Sequence, residues 1–376
     1  MASIRKRTWT TAAGEGKAAW CVDFVDQTGK RQRKQFATKR AADAFRIQVE
    51  GQVQSGTYRA DARKLTVKEL VDAWLAHCQG RVGVDLEWST AADYQVKARH
   101  ILDAQHGLAR MRLIDVTTGT VDDFRISLVS AGLSKANAKT VVRGLSAAFT
   151  FGQERNLVVF NPVLRSRSRN GDGRDEQQVA IPDHEGVKRL IAEAYKLGAA
   201  FGLFVKFAAL SGLRSSEQRG LLWRHVDLKA GRVTVETRVD RRNERGSPKS
   251  RAGRRKVPLP PNLVAELRAH KLKVGGSDDT PVFPARNGQP LRHENVLRNA
   301  FYPARAAAGA PGINWHALRH YAISCWIAAG LTAKTVQVRA GHSSIRMTFD
   351  RYGHLFPDGH EGAEMAAIES RLADGT

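Results

Sequence analysis

The chain has 376 residues, with 60 lysines and arginines against 37 acidic residues, a net charge of +23 and an isoelectric point near 10.4. That excess favours a polyanionic partner, nucleic acid first, and an apolar content of 42% suffices for the cores of two or three domains. Three scattered cysteines (Cys21, Cys78, Cys325) without a C-x-x-C, no apolar run of 18 residues and no apolar leader argue against a zinc site, a disulfide framework, a membrane span and a secretory signal, and fit a reducing cytosol.

In chain order, residues 1–60 predict a small basic module: strands near 4–9, 17–25 and 31–36, a turn at 27–30, then a helix over 38–54 with Ala41, Ala44, Phe45 and Val49 on one side. Residues 1–64 hold 14 lysines and arginines against 6 acids. Arg5, Lys6, Arg7, Arg31, Arg33 and Lys34 are its candidate DNA contacts; a solvated charged hairpin is the plain alternative. Residues 65–163 read as a helical domain. Thr66-x-x-Glu69 is a capping box opening its first helix; others are expected at 89–102, 120–131 and 134–155, and Asn161-Pro162 closes the unit. Residues 164–179, polar and without periodicity, predict a linker. Residues 180–357 form the largest expected domain, with helices at 183–197 and 200–212, strands at 232–239 and 254–259, and helices again from Pro261. The tail, 358–376, sets five acids against Arg371, and Met365, Ala366, Ile368 and Leu372 could share an apolar face. The expected class is α+β, mainly α, with a small antiparallel sheet.

The third domain carries the chemistry. In Ala209-Leu-Ser-Gly-Leu-Arg214-Ser-Ser-Glu217 a helix stops at Gly212 and another starts. Arg214 therefore sits near a helix N-terminus, where anions are favoured, and its guanidinium can grip two phosphate oxygens. Glu217 can orient it. Residues 238–256 hold nine lysines and arginines against Asp240 and Glu244, between two strand-like runs, as a long basic hairpin tip. Lys249 there can donate a proton to a leaving alkoxide or simply contact phosphate; Arg241, Arg242, Arg251, Arg254 and Arg255 suit phosphate contact. From Asn314 to Leu355 follow His316 and Arg319, three apart and so on one helical face, then Gly341-His342, then Tyr352. Together these could bind a phosphodiester and attack it with a phenol.

The ordered series LSGLRSSE, SPKSRAGRRKVPL, HALRH, AGHSS and FDRYGHL resembles the tyrosine recombinase, or phage integrase, family. That family's pattern of Arg, Lys, His-x-x-Arg, His or Trp, and Tyr falls here on Arg214, Lys249, His316, Arg319, His342 and Tyr352. The upstream layout resembles an arm-binding module followed by a core-binding domain. One departure is Gln218-Arg219, where the family has apolar residues; a local packing change is expected there.

The resemblance implies a site-specific recombinase that cuts and rejoins DNA through a 3′-phosphotyrosine. Tyr352 would attack, Lys249 would protonate the leaving 5′-oxygen, and Arg214, Arg319 and His342 would stabilise the transition state. His316 would act as base or orient the site. The implied partners are double-stranded DNA, at core and arm attachment sites, three further copies in a homotetramer, and a DNA-bending or directionality factor. The implied location is the cytoplasm of a bacterial host, at the nucleoid. No cofactor or metal is expected, since no Walker motif or carboxylate cluster is present. A catalytically silent DNA-binding regulator and a type IB topoisomerase-like enzyme are the competing readings.

Overall fold

The structure is a computed structural model describing all residues except 1, 11–15, 27–28, 55–64, 159, 164–178, 358–360 and 374–376. The expected linker up to residue 178 and the ends of the tail thus lie outside the described residues. The chain divides into two compact units, Met1–Gly173 and Arg174–Thr376.

In the first unit, β1 (Ser3–Thr10), β2 (Gly16–Val25) and β3 (Arg31–Phe36) form an antiparallel sheet in that order. Side chains alternate across it. Val22 and Phe24 are buried with Ala42, Phe45 and Val49 of α1 (Lys39–Gln54). The six basic residues expected to face DNA therefore divide. Arg5 stands opposite Cys21, and Arg31 and Arg33 opposite Val25 and Asp23, on the face away from α1, as does Arg7 opposite Ala19. Asp23 ties Arg5 at 2.9 Å and Arg33 at 2.5 Å on that face. Lys6 is in register with Trp20 and Lys34 with Val22, on the α1 side. The Lys34 ammonium lies 4.8 Å from the Phe45 ring centre, so alternation removes it from the Arg5–Arg33 face.

Four helices follow: α2 (Val67–Arg81), α3 (Trp88–Leu102), α4 (Thr118–Ser130) and α5 (Lys135–Glu154). The Thr66–Glu69 capping box closes reciprocally. A second box, Thr117 with Thr120, starts α4 two residues earlier than the sequence suggested. Leu70, Trp74, Ile101, Phe124, Leu128, Leu145 and Phe149 fill the core between these helices.

The second unit opens with α6 (His184–Lys196) and α7 (Ala199–Ser211), then the short α8 (Ser215–Gly220). Its sheet is antiparallel, β4 (Val226–Asp227), β5 (Arg232–Val235) and β8 (Arg255–Pro258). The strand expected over 232–239 is broken, because the chain leaves the sheet after Val235 to cross Gly220. A Cβ on Gly220 would come 2.8 Å from Arg238 Cα. A separate two-stranded hairpin results, β6 (Arg238–Val239) with β7 (Arg245–Gly246). The departure at 218–219 accounts for its anchoring. Arg219 is buried and donates to the Val239, Asp240 and Leu291 carbonyls, at 2.9, 3.2 and 2.9 Å, while Gln218 donates to the Phe204 carbonyl at 2.6 Å. Helices α9 (Pro261–Val274), α10 (His293–Val296) and α11 (Tyr302–Ala307) complete the main core around Phe204, Phe207, Trp223, Phe283, Phe301 and Trp315. The chain then forms α12 (Trp315–Ala328), α13 (Ala333–Ala340), α14 (Ile345–Tyr352) and, past the undescribed residues, α15 (Glu361–Ala373). A smaller core of Ile323, Ile327, Val336, Ala340 and Tyr352 joins α12, α13 and α14.

Candidate active site

The C-terminus of α13 organises the site. A helix leaves its last carbonyls unpaired and carries partial negative charge there. Three successive carbonyls at this end each receive a different arginine: Arg339 O takes Arg255 Nε at 2.6 Å, Ala340 O takes Arg319 Nη2 at 2.5 Å and Gly341 O takes Arg214 Nη2 at 3.0 Å. Gly341 makes this possible. Its φ of +66 favours glycine, and a Cβ would lie 2.9 Å from Arg255 Nη1.

The other end of each guanidinium is fixed as well. Arg319 Nη1 donates to the Gly212 carbonyl at 2.7 Å, across from the stop of α7. Gly212 has φ +60, and a Cβ there would meet Trp326 at 2.7 Å. Arg214 donates to Glu217 Oε1 at 2.8 Å, and its backbone N–H donates to Oε2 at 2.9 Å. Arg319 is buried, whereas the Arg214 side chain is 38% exposed. Arg214 is thus the guanidinium open to an incoming anion.

Arg255 corrects one expectation. It was placed among the DNA contacts, but its side chain is 2% exposed and donates to both Glu217 oxygens, at 3.1 and 2.8 Å. β8 turns it inward with Val257, and its donors also hold the Gly253 and Arg339 carbonyls. Burial alone would raise the Glu217 carboxyl, but the hydrogen bonds and charge of Arg255, with Arg214 beside it, hold it down to about 2. Arg241, Arg242, Arg251 and Arg254 are exposed, as expected for phosphate contacts.

Tyr352 ends α14 and is completely buried. The His342 ring lies nearly parallel to the phenol, 11° apart in plane and 6.1 Å between centres. His342 is itself buried, with Nδ1 2.9 Å from Thr348 Oγ1. Loss of water and then the charges of Arg319, Arg214, Arg351 and Arg255 push its pKa down to about 3. Burial pushes the Tyr352 phenol up to about 12, against the pull of Arg319 and Arg351. His316 is pushed down to about 4 by loss of water, then by Arg319, Arg351 and Arg214.

Five of the six residues of the motif series thus gather around the end of α13: Arg214, His316, Arg319, His342 and Tyr352. Lys249 stands exposed on the loop between β7 and the Arg251–Gly253 turn. That loop is tied to the site at its far end, where Gly253 and Ala252 lie against Arg255 and Gly341. Two residues of this cluster were not singled out from the sequence. Arg351 precedes Tyr352 and lends its charge to the three histidines around it. His320 touches the phenol, with Nδ1 2.5 Å from Tyr352 Oη; it follows His316 by four residues, a spacing that also shares one helical face.

Arranged this way, the site offers a buried phenol, fixed guanidinium donors and, on a neighbouring loop, an exposed ammonium; no helix among the described residues is long and apolar enough to cross a membrane. Residues 182–358 match the model of the phage integrase family. The tyrosine recombinase XerC-like protein of Caldanaerobacter subterraneus subsp. tengcongensis is 25% identical over 361 residues, covering 88% of this chain and 90% of that one. The ICEBs1 integrase of Bacillus subtilis is 24% identical over 350 residues, covering 89% and 92%. Among solved structures, the Tn1549 transposon integrase in complex with transposon right end DNA aligns with a TM-score of 0.66 at 20% identity, over 82% of this chain and all of that one. A lambda integrase dimer bound to a COC′ core site aligns at 0.58 and 19%, over 91% and 93%. At those identities the structural likeness bears on the fold.

Proposed function

Because the chain belongs to the phage integrase family of tyrosine recombinases, and is an enzyme of DNA strand cleavage and transfer, we propose that it is the integrase of a phage or mobile element, with Tyr352 as nucleophile. The observation that carries this is the three-arginine cluster on the end of α13, beside a phenol. A pentacoordinate phosphorane gains negative charge on its non-bridging oxygens. Arg214 and Arg319, already held by carbonyls, need no reorganisation to meet that charge. Tyr352 attacks phosphorus, the 5′-oxygen leaves, and the 3′-phosphate stays on the protein. The ester bond energy is kept, so rejoining needs no nucleotide.

Lys249 is the proposed acid. Its exposed loop lets it reach a 5′-oxygen brought in by DNA. Lys249→Ala should slow cleavage of normal DNA by a factor on the order of 10²–10⁴. A duplex with sulfur at the bridging 5′ position leaves as a thiolate, which hardly needs a proton, so the mutant should cleave it near the wild-type rate. Arg214→Ala should gain nothing from the sulfur. Single-turnover cleavage of both duplexes is the measurement; equal defects of Lys249→Ala on both would make Lys249 a phosphate contact, with Arg251 and Lys256 the next acids to test.

The proposed organisation is an arm-binding module at residues 1–60, a core-binding domain at 65–163, a linker at 164–179, a catalytic domain at 180–357 and a tail from 358 that couples four protomers on DNA. Tail residues Met365 and Ile368 are exposed, available to another subunit. The basic sheet face supports the arm-binding assignment. Full-length Arg5→Ala/Arg33→Ala should keep core-site cleavage and lose affinity for arm-site duplex. Its slope of log affinity against log salt should fall by about 2, one per phosphate contact removed. An unchanged slope in a salt titration would count against that face.

A further inference from the structure

The histidine in contact with the phenol is His320, not His316. Its Nδ1 is 2.5 Å from Tyr352 Oη and the ring centres are 5.8 Å apart. His316 instead stands at 86° to the His320 ring, 4.6 Å away. Resting on the reading of Tyr352 as nucleophile, we propose that His320 Nδ1 is the proton acceptor for the phenol, and that it can hold the proton only once the scissile phosphate occupies the arginine cluster.

The hydrogen bond has one direction consistent with this. A neutral imidazole accepts at Nδ1 when its proton is on Nε2, and the phenol then donates. The ring is half-buried on α12. It faces His316 and Arg319 from its own helix and Arg351 and Tyr352 from α14; His342 lies across the phenol. Burial first, then His316, Arg351 and Arg319, hold its pKa down to about 4. At neutral pH His320 is therefore neutral, with Nδ1 open to accept, but its imidazolium would sit among like charges. A phosphate bound at Arg214, beside Arg319, offsets part of that field, and an opposite charge close by raises a base by about one to three units. Without DNA the phenol stays protonated and buried, so the nucleophile is armed by its own substrate.

The step balances. The Oη proton moves to Nδ1, an Oη lone pair forms the oxygen–phosphorus bond, and the bond from phosphorus to the 5′-oxygen breaks. That oxygen takes its proton from the acid assigned to Lys249. In rejoining, the 5′-hydroxyl displaces the tyrosine, and the imidazolium returns its proton to Oη. Nothing is oxidised or reduced.

The test is single-turnover cleavage by the full-length protein, over about pH 6 to 9, of an end-labelled suicide duplex carrying the core site found in the DNA beside the gene. Normal and 5′-sulfur duplexes are compared for wild type, His320→Ala, His320→Gln, His316→Ala and Tyr352→Phe. His320→Ala should lose a factor on the order of 10²–10⁴ on both duplexes alike. The loss should shrink as pH rises and hydroxide takes over, and added imidazole should restore activity. His320→Gln, which can bond the phenol but not keep its proton, should remain as slow. Retained DNA binding reports a folded variant; if His320→Ala fails to bind, His320→Gln decides. Recovery in His320→Gln, a defect independent of pH, or cleavage by His320→Ala within about threefold of wild type overturns the proposal. So does an imidazole-insensitive His320→Ala beside a His316→Ala variant that has the pH-dependent loss. Cleavage by Tyr352→Phe would instead overturn the nucleophile assignment, whatever His320 does.

Discussion

Tyr352→Phe should bring strand cleavage to background and leave DNA binding and folding nearly intact. The change removes one hydroxyl from a ring packed among Ile323, Ile327, Val336 and Ala340, so the small core keeps its volume. The hydroxyl's hydrogen bond to His320 is lost, a change in stability of about 1 kcal/mol. Cleavage should have no substitute, because under the proposed assignment that oxygen makes the covalent link to DNA. The other tyrosines of this region are placed differently. The Tyr321 hydroxyl is 2.6 Å from His184 Nδ1, and Tyr302 is exposed on α11. An end-labelled suicide duplex on a denaturing gel is the check. A covalent adduct persisting in the mutant would move the nucleophile to Tyr321 or Tyr302.

Arg255→Met should cost stability and cleavage together, although Arg255 is not expected to touch DNA. Removing one partner of a buried ion pair leaves the other uncompensated, typically about 3–5 kcal/mol. Glu217 would then hold its charge beside Arg214 alone, and Arg339 O would lose its donor. Arg214 shares Glu217 and the adjacent Gly341 carbonyl, so its grip on phosphate should loosen. Cleavage should fall by a factor on the order of 10²–10³, the usual effect of losing one preorganised donor. Glu217→Leu/Arg255→Met should recover most of the stability, since no lone buried charge remains, but not the activity. Urea unfolding and single-turnover cleavage together separate the two effects. The acid side has a definite sign. Glu217 is held below its ordinary 4.5, at about 2, so its contribution is complete above about pH 4.5 and is lost as pH falls towards 2. Glu217→Gln should therefore flatten the stability curve in that window.

The site was legible in the sequence where chemistry follows local spacing. His316 and Arg319 share a face because three residues make nearly one helical turn, and Gly212 and Gly341 mark helix ends that only a left-handed residue can turn. What the reading missed follows from the same rules applied one step short. His320 is four residues past His316, equally on that face. Arg255 precedes Lys256, Val257, Pro258 and Leu259, and period-two alternation places it inside with Val257 and Leu259. Its eight basic neighbours between 238 and 256 masked that pattern. Alternation likewise sets Lys34, with Phe36, on the α1 side of the sheet, apart from Arg5 and Arg33. Two features left no trace in side-chain identity. The anchors of Arg214, Arg255 and Arg319 are backbone carbonyls, which every residue has. The break after Val235 depends on how closely Arg238 passes Gly220, a contact between segments far apart in the chain.

The central claim is that Tyr352 becomes joined to the 3′-phosphate of cleaved DNA. Trapped adduct from a suicide duplex, digested with nuclease and trypsin, can be read by mass spectrometry. Cleavage after Arg351 and Arg371 releases residues 352–371, in which Tyr352 is the sole tyrosine. Tyr321 falls in residues 320–334 and Tyr302 in 299–305. Nucleotide mass is expected on the 352–371 peptide alone, linked through a 3′-phosphate, with a free 5′-hydroxyl on the released strand. Nucleotide on either other peptide, a 5′-phosphate linkage, or cleavage without any adduct would contradict it.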